Sequence, residues 1–379
     1  MKITMIKIFF LTFILFGIHS VNAEMNEEQF RQYAEKINKL VEQKNDDPQI
    51  LLGVAELCDL SEEDYFRPVK GSRVKYDDVI KIDPSNAPAY AELSENAVWR
   101  YLRVRKNSNN EIEEVKKLWK GELEIPTNSG LYELTRTEED RKILAQEQKE
   151  AILEHKKEAD ITLTNVMAML VEAEQTDPQN ALFNYLRAGM FNCHGKVEEA
   201  LEEIEKGLKK NTFTLYLEDR LKARRRVLEA VEYPWPEAGY MQALRSIEYS
   251  SEVSYLREIL ITEGKKTEGN DPGRAEHLYE MMLSVAEQMG KSLYSIDQRI
   301  SMLDLRILAY KAMADLYDKA GSKDKAMQAR ANYREAEKER DIHMSYFPSF
   351  KDHTSQKYKE YVKQVVEKGT WRMFQDNEL

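Results

Sequence analysis

Residues 177–210, DPQNALFNYLRAGMFNCHGKVEEALEEIEKGLKK, constrain the fold more than any other stretch of the chain. Asp177 and Pro178 read as the N-cap and first position of a helix, since a proline there loses no intrahelical hydrogen bond. Leu182, Tyr185, Leu186, Ala188 and Phe191 then recur at helical spacing. Cys193, His194 and Gly195 interrupt the pattern, and Gly195 can take the left-handed conformation of a tight turn. A second helix carries Val197, Ala200, Leu201, Ile204 and Leu208 on one stripe. The small Ala188 and Ala200 let two antiparallel helices approach closely.

This hairpin closely resembles a tetratricopeptide repeat (TPR), a unit of about 34 residues. The resemblance rests on Ala188, Phe191, Gly195, Ala200 and Gly207; Asn184 departs, where the family usually has an aromatic. A second resemblance covers residues 303–338, through Tyr310, Ala314, Tyr317, Gly321 and Ala326, with Arg330 at a position usually apolar. The implied fold is an irregular TPR-like helical-hairpin solenoid. Ser355 to Lys368, amphipathic through Tyr358, Tyr361, Val362 and Val365, is expected to be its C-terminal capping helix.

Composition points to the same class. Charged residues reach 32% while Gly 15 and Pro 10 are few, which favours long amphipathic helices over sheets and predicts an all-α chain. Helices are expected over Glu27–Lys44, Gln49–Leu57, Val69–Ile82 and Ala87–Val104. Asp83-Pro84-Ser85-Asn86 repeats the punctuation of Asp177-Pro178-Gln179-Asn180. A long helical run follows from Glu138 to Gln175, whole or kinked near Asp160. Tyr233-Pro234-Trp235-Pro236 excludes continuous helix and divides the repeats into 24–232 and 233–345, before a tail at 346–379. Further helices are expected over Ala238–Glu263 and Pro272–Met289.

Residues 1–23 read as a cleaved signal peptide: Lys2 and Lys7, an apolar run from Ile8 to Ile18, then Val21-Asn22-Ala23. The expected location is periplasmic or secreted, with no membrane span after cleavage. The formal net charge of −11 becomes more negative when Lys2 and Lys7 are removed, which disfavours nucleic acid and anionic membranes. Two basic clusters, Arg100 to Lys106 and Arg220 to Arg226, read as solvated helix faces. Cys58 and Cys193 admit two readings, one disulfide or two separate buried thiols.

Motifs that carry chemistry are lacking. His155, His194, His277, His343 and His353 show no metal-ligand spacing, and there is no Walker loop, GxGxxG or GxSxG. Glu198-Glu199 and Glu202-Glu203 read as solvent-facing pairs on amphipathic helices. The expectation is a binding scaffold without cofactor, metal or enzymatic activity, holding a protein or peptide partner. The TPR resemblance implies a concave surface that would include Tyr185, Gly189 and Asn192 in one repeat and Lys311, Asp315 and Asp318 in the other. Tyr185 and Asn192 lie two turns apart on one helix face, although Tyr185 fits equally as a core residue. The alternative is a solute-handling accessory of an envelope transporter, resembling the periplasmic TPR components of TRAP systems.

Overall fold

A computed structural model describes residues 27–60, 75–98, 101–102, 163–233, 251–293 and 295–345, with 360, 364–365, 367–369, 373 and 375 near the C-terminus. The described residues are helical, joined by short turns, with one isolated bridge between Asn180 and Thr212. The chain is all-α. No described helix is long and apolar enough to cross a membrane. In chain order the helices are α1 (Glu27–Gln43), α2 (Pro48–Leu60), α3 (Tyr76–Ile82), α4 (87–98) and α5 (163–176). Then come α6 (Leu182–Cys193), α7 (Val197–Leu208), α8 (Leu217–Ala230), α9 (Ser251–Thr267), α10 (Pro272–Gly290), α11 (Ile296–Lys319) and α12 (Lys323–Ser345).

Two helix pairs form as the spacing predicts. Gly195 and Gly321 both take positive φ, 72° and 70°. Both turns close with the same long bond: the Lys196 amide donates to the Phe191 carbonyl at 3.0 Å, and the Ser322 amide to the Tyr317 carbonyl at 2.9 Å. This satisfies carbonyls that a helix end leaves unpaired. Ala188 and Ala200 are fully buried where α6 meets α7. The second pair is longer than the repeat pattern, since α11 begins at Ile296 rather than Leu303 and α12 runs on to Ser345. A capping box at Ser295 and Gln298 sets that earlier start.

The Asp-Pro signal acts in two different ways. At Asp47-Pro48 and Asp271-Pro272 the aspartate caps the helix and the proline opens it, with Asp271 Oδ1 accepting the Arg274 amide at 2.9 Å. At Asp177-Pro178 the helix instead starts at Leu182, which corrects the expectation. There Asn180 accepts the Leu182 amide through Oδ1 at 3.1 Å, and in the matching position Asn86 accepts the Ala89 amide at 3.1 Å. In both places the asparagine side chain accepts an amide from the start of the following helix, and Asp-Pro lies in the preceding turn.

Consecutive helices pack as neighbours: α6 with α7, α9 with α10, α10 with α11 and α11 with α12. Helix α9 also lies on α6, where the bare backbone of Gly189 meets the Tyr255 ring. One continuous apolar cluster runs from Ile37 on α1 through Leu186 on α6 to Met302 on α11. The pairing of α2 with α8 joins elements far apart in sequence. Gly53 permits it, because a Cβ there would sit 2.2 Å from the Ala223 carbonyl oxygen. Helix α1 reaches the end of α8 through Tyr33, edge-on to Tyr233 at 4.9 Å, and Lys36, which donates to the Val231 carbonyl. From the C-terminal segment, Glu367 meets Arg225 of α8 at 3.2 Å.

Several expectations fall outside the described residues: the signal segment, the basic residues Arg100, Arg103, Arg105 and Lys106, Trp235, the Cys58 side chain, the run from Glu138 to Thr162, and most of Ser355–Lys368.

Candidate functional site

A half-open cavity of about 510 Å³ lies between α10 and α11. Helix α10 and its exit contribute Leu283, Glu287, Gly290 and Lys291; α11 contributes Arg299, Met302, Arg306 and Tyr310. The α11 residues follow one another at steps of three, four and four, so they share one helix face. Gly290 forms part of the floor, since a Cβ there would come within 3.0 Å of the Met302 sulfur. Its bare backbone lets α11 come close.

The walls are predominantly cationic. Arg299 is held from behind by α12, donating through Nε to Glu339 Oε1 at 2.9 Å and through Nη2 to the same carboxylate. Burial raises the Glu339 pKa, but Arg299 more than offsets this and holds the carboxyl below its ordinary value. Arg306 lies over the Tyr310 ring at 6.0 Å, a cation–π contact that aligns its stem. Lys291 stands exposed, and Glu287 is the single acid among the described wall residues. The arrangement offers cations beside apolar Leu283 and Met302, which suits binding. Among the described residues, no group of three or more His, Cys, Asp or Glu is placed to hold a metal ion.

The residues expected to form a concave surface are not brought together. Tyr185 is fully buried, its hydroxyl donating to Gln288 Oε1 of α10 and its ring beside Phe213. Of its two placements it takes the core, and burial pushes its phenol pKa well up. Gly189 is likewise interior, beneath Tyr255. Their assignment to an open surface is therefore corrected, because α9 and α10 cover that face of α6. Asn192 is half-buried at the end of α6. Lys311, Asp315 and Asp318 are exposed on α11, and Asp318 pairs with Arg330. At roughly 100° per residue they lie well round the helix from the cavity stripe.

Two buried polar clusters also differ from the sequence reading. Arg220 and Arg224, expected on a solvated face, are interior and paired with Glu56. Glu203, expected to face solvent beside Glu202, is buried and accepts from Arg187 Nε at 2.8 Å and Asn184 Nδ2 at 2.9 Å. The residue that departs from the TPR pattern, Asn184, thus serves as a donor to that carboxylate. Residues such as Gln288 and Arg306 carried no signal beyond their helical spacing.

The chain finds no match among protein-family models, curated proteins or solved structures.

Proposed function

We propose that this protein is a TPR-type helical-hairpin scaffold, exported to the cell envelope, that acts by holding a polypeptide partner. The observation that carries this reading is the exposed polar stripe of α11. Lys311, Asp315 and Asp318 stand on a helix whose other faces are fixed by α10 and α12, so the stripe is rigid and presented outward. Rigid placement lowers the ordering cost of association. The successive packing of α9 on α10, α10 on α11 and α11 on α12 supports an array of hairpins in which α11 is a first helix. Asn192, half-buried at the end of α6, is the contact proposed for the other repeat, and the C-terminal segment is the proposed cap.

The test is capture from the native envelope fraction with the wild-type chain and with a Lys311→Glu, Asp315→Lys chain. The reading expects one polypeptide retained by the wild type and lost from the variant, with equal melting temperatures. Equal retention by both contradicts it. A second reading, a solute-handling accessory of an envelope transporter, is favoured by one feature: the α10–α11 cavity has the size of a small-molecule site, about 300–1,000 Å³.

A further inference from the structure

We propose that the cavity between α10 and α11 binds a small organic oxyanion, a carboxylate or phosphate monoester on an apolar, flat body. The inference does not depend on the polypeptide reading, because the exposed α11 stripe lies on another face of that helix.

Acidic residues outnumber basic ones in this chain, 67 to 56, so a cation is seldom far from a carboxylate. Yet neither the Arg306 nor the Lys291 side chain makes a hydrogen bond or ion pair with another described residue, and both line the same concavity. Arg299, the third cation, is already engaged, by the Glu339 carboxylate and by the Met302 sulfur at 3.3 Å. An anion entering here finds its donors in Arg306 and Lys291, beside the positive charge of Arg299. A guanidinium presents several N–H groups in one plane and matches the paired oxygens of a carboxylate or phosphoryl group. Contact with the Tyr310 ring steadies the Arg306 fork before any ligand arrives, which reduces the ordering cost of binding.

The remaining walls define the rest of the ligand. Leu283 and Met302 offer apolar surface beside the cations, and the Tyr310 ring offers a flat one. The volume of about 510 Å³ accommodates an organic body rather than a bare inorganic ion. Glu287, exposed at the rim, opposes a large negative charge and so favours a ligand with one oxyanion group over a polyanion.

Isothermal titration calorimetry of the full chain with benzoate, phenyl phosphate, inorganic phosphate and benzamide tests this. Benzoate or phenyl phosphate is expected to bind one per chain, at least roughly tenfold tighter than neutral benzamide, as loss of a charge-assisted contact implies. The tighter of the two identifies carboxylate or phosphoryl as the natural group. Arg306→Gln and Arg306→Glu are both expected to weaken that binding, whereas Lys323→Glu, at an exposed position outside the cavity lining, leaves it unchanged. Benzamide binding as well as benzoate, inorganic phosphate binding as well as phenyl phosphate, silence with every anion, or wild-type binding by a folded Arg306 variant would each overturn the proposal. None of these outcomes alters the envelope capture experiment, which reads a different face.

Discussion

Glu56 on α2 and Arg220 on α8 form an ion pair at 2.9 Å across 164 positions of sequence, with side chains 0% and 5% exposed. Arg224 pairs with the other Glu56 oxygen, Arg220 also reaches Glu92, and the Tyr76 hydroxyl donates to Glu56 at 3.1 Å. The cluster ties α2, α3, α4 and α8 together beneath apolar residues. Removing one partner leaves uncompensated buried charge, so Glu56→Gln is expected to cost about 3–5 kcal/mol in urea unfolding. Arg226→Gln breaks a pair with Asp47 in which the arginine is 54% exposed, and should cost less than about 1 kcal/mol. Equal effects of the two substitutions would show that the buried cluster does not hold the N-terminal helices in place.

The same cluster sets a pH dependence. Burial raises the Glu56 pKa, but Arg220 and then Arg224 outweigh it and hold the carboxyl below its ordinary 4.5. Glu174 and Glu203 are lowered similarly: burial opposes, Lys210 with Arg187 outweigh it at Glu174, and Lys206 with Arg187 at Glu203. The unfolded chain therefore takes up these protons at higher pH than the folded one. Their stabilisation is full above about 4.5 and is lost as pH falls through the folded-state values. The urea midpoint should drop steadily in acid, and Glu56→Gln should flatten that slope. A midpoint that holds steady or rises in acid contradicts the assignment.

Gln288 of α10 connects the central hairpin to the next unit. Its Nε2 donates to the carbonyls of Gly207 at 3.0 Å and Lys210 at 2.8 Å, closing the C-terminal end of α7, while its Oε1 accepts from Tyr185. Gln288→Ala should cost about 1–3 kcal/mol, since buried polar groups lose their partners. Gly207→Ala should cost a similar amount, about 1–3 kcal/mol, because its Cβ would lie 2.5 Å from the Tyr185 ring. Tyr185→Ala is expected to cost roughly 3–5 kcal/mol. A Tyr185→Ala chain that melts like the wild type would contradict the buried placement.

The all-α class and the two turns were legible because Gly195, Gly321 and the alanines at the contact leave local, periodic traces. The direction of Tyr185 was not, for a physical reason. Every residue of α6 from Leu182 to Met190 is buried, so no polar face remains to orient the helix. The Glu56–Arg220 pair was hidden differently: a buried ion pair and a solvated charge are spelled with the same residues, and the partner lies on a distant helix. The cavity residues Arg299, Met302, Arg306 and Tyr310 read as part of an ordinary charged helix until α10 is set beside them.

Export is expected to proceed with cleavage after Ala23, leaving Glu24 as the first residue. Mass spectrometry of the protein from its native host checks this. A terminus at Met1 or Lys2 on a cytosolic species would contradict the proposed location.

The central functional claim is that α11 presents the surface on which a partner polypeptide is held. Amide hydrogen exchange, followed by mass spectrometry with and without the captured partner, reads that surface directly. New protection is expected in peptides spanning Lys311 to Asp318, with the buried α6 segment from Leu182 to Met190 unchanged. Protection confined to other helices, with α11 exchanging as in the free protein, would contradict it.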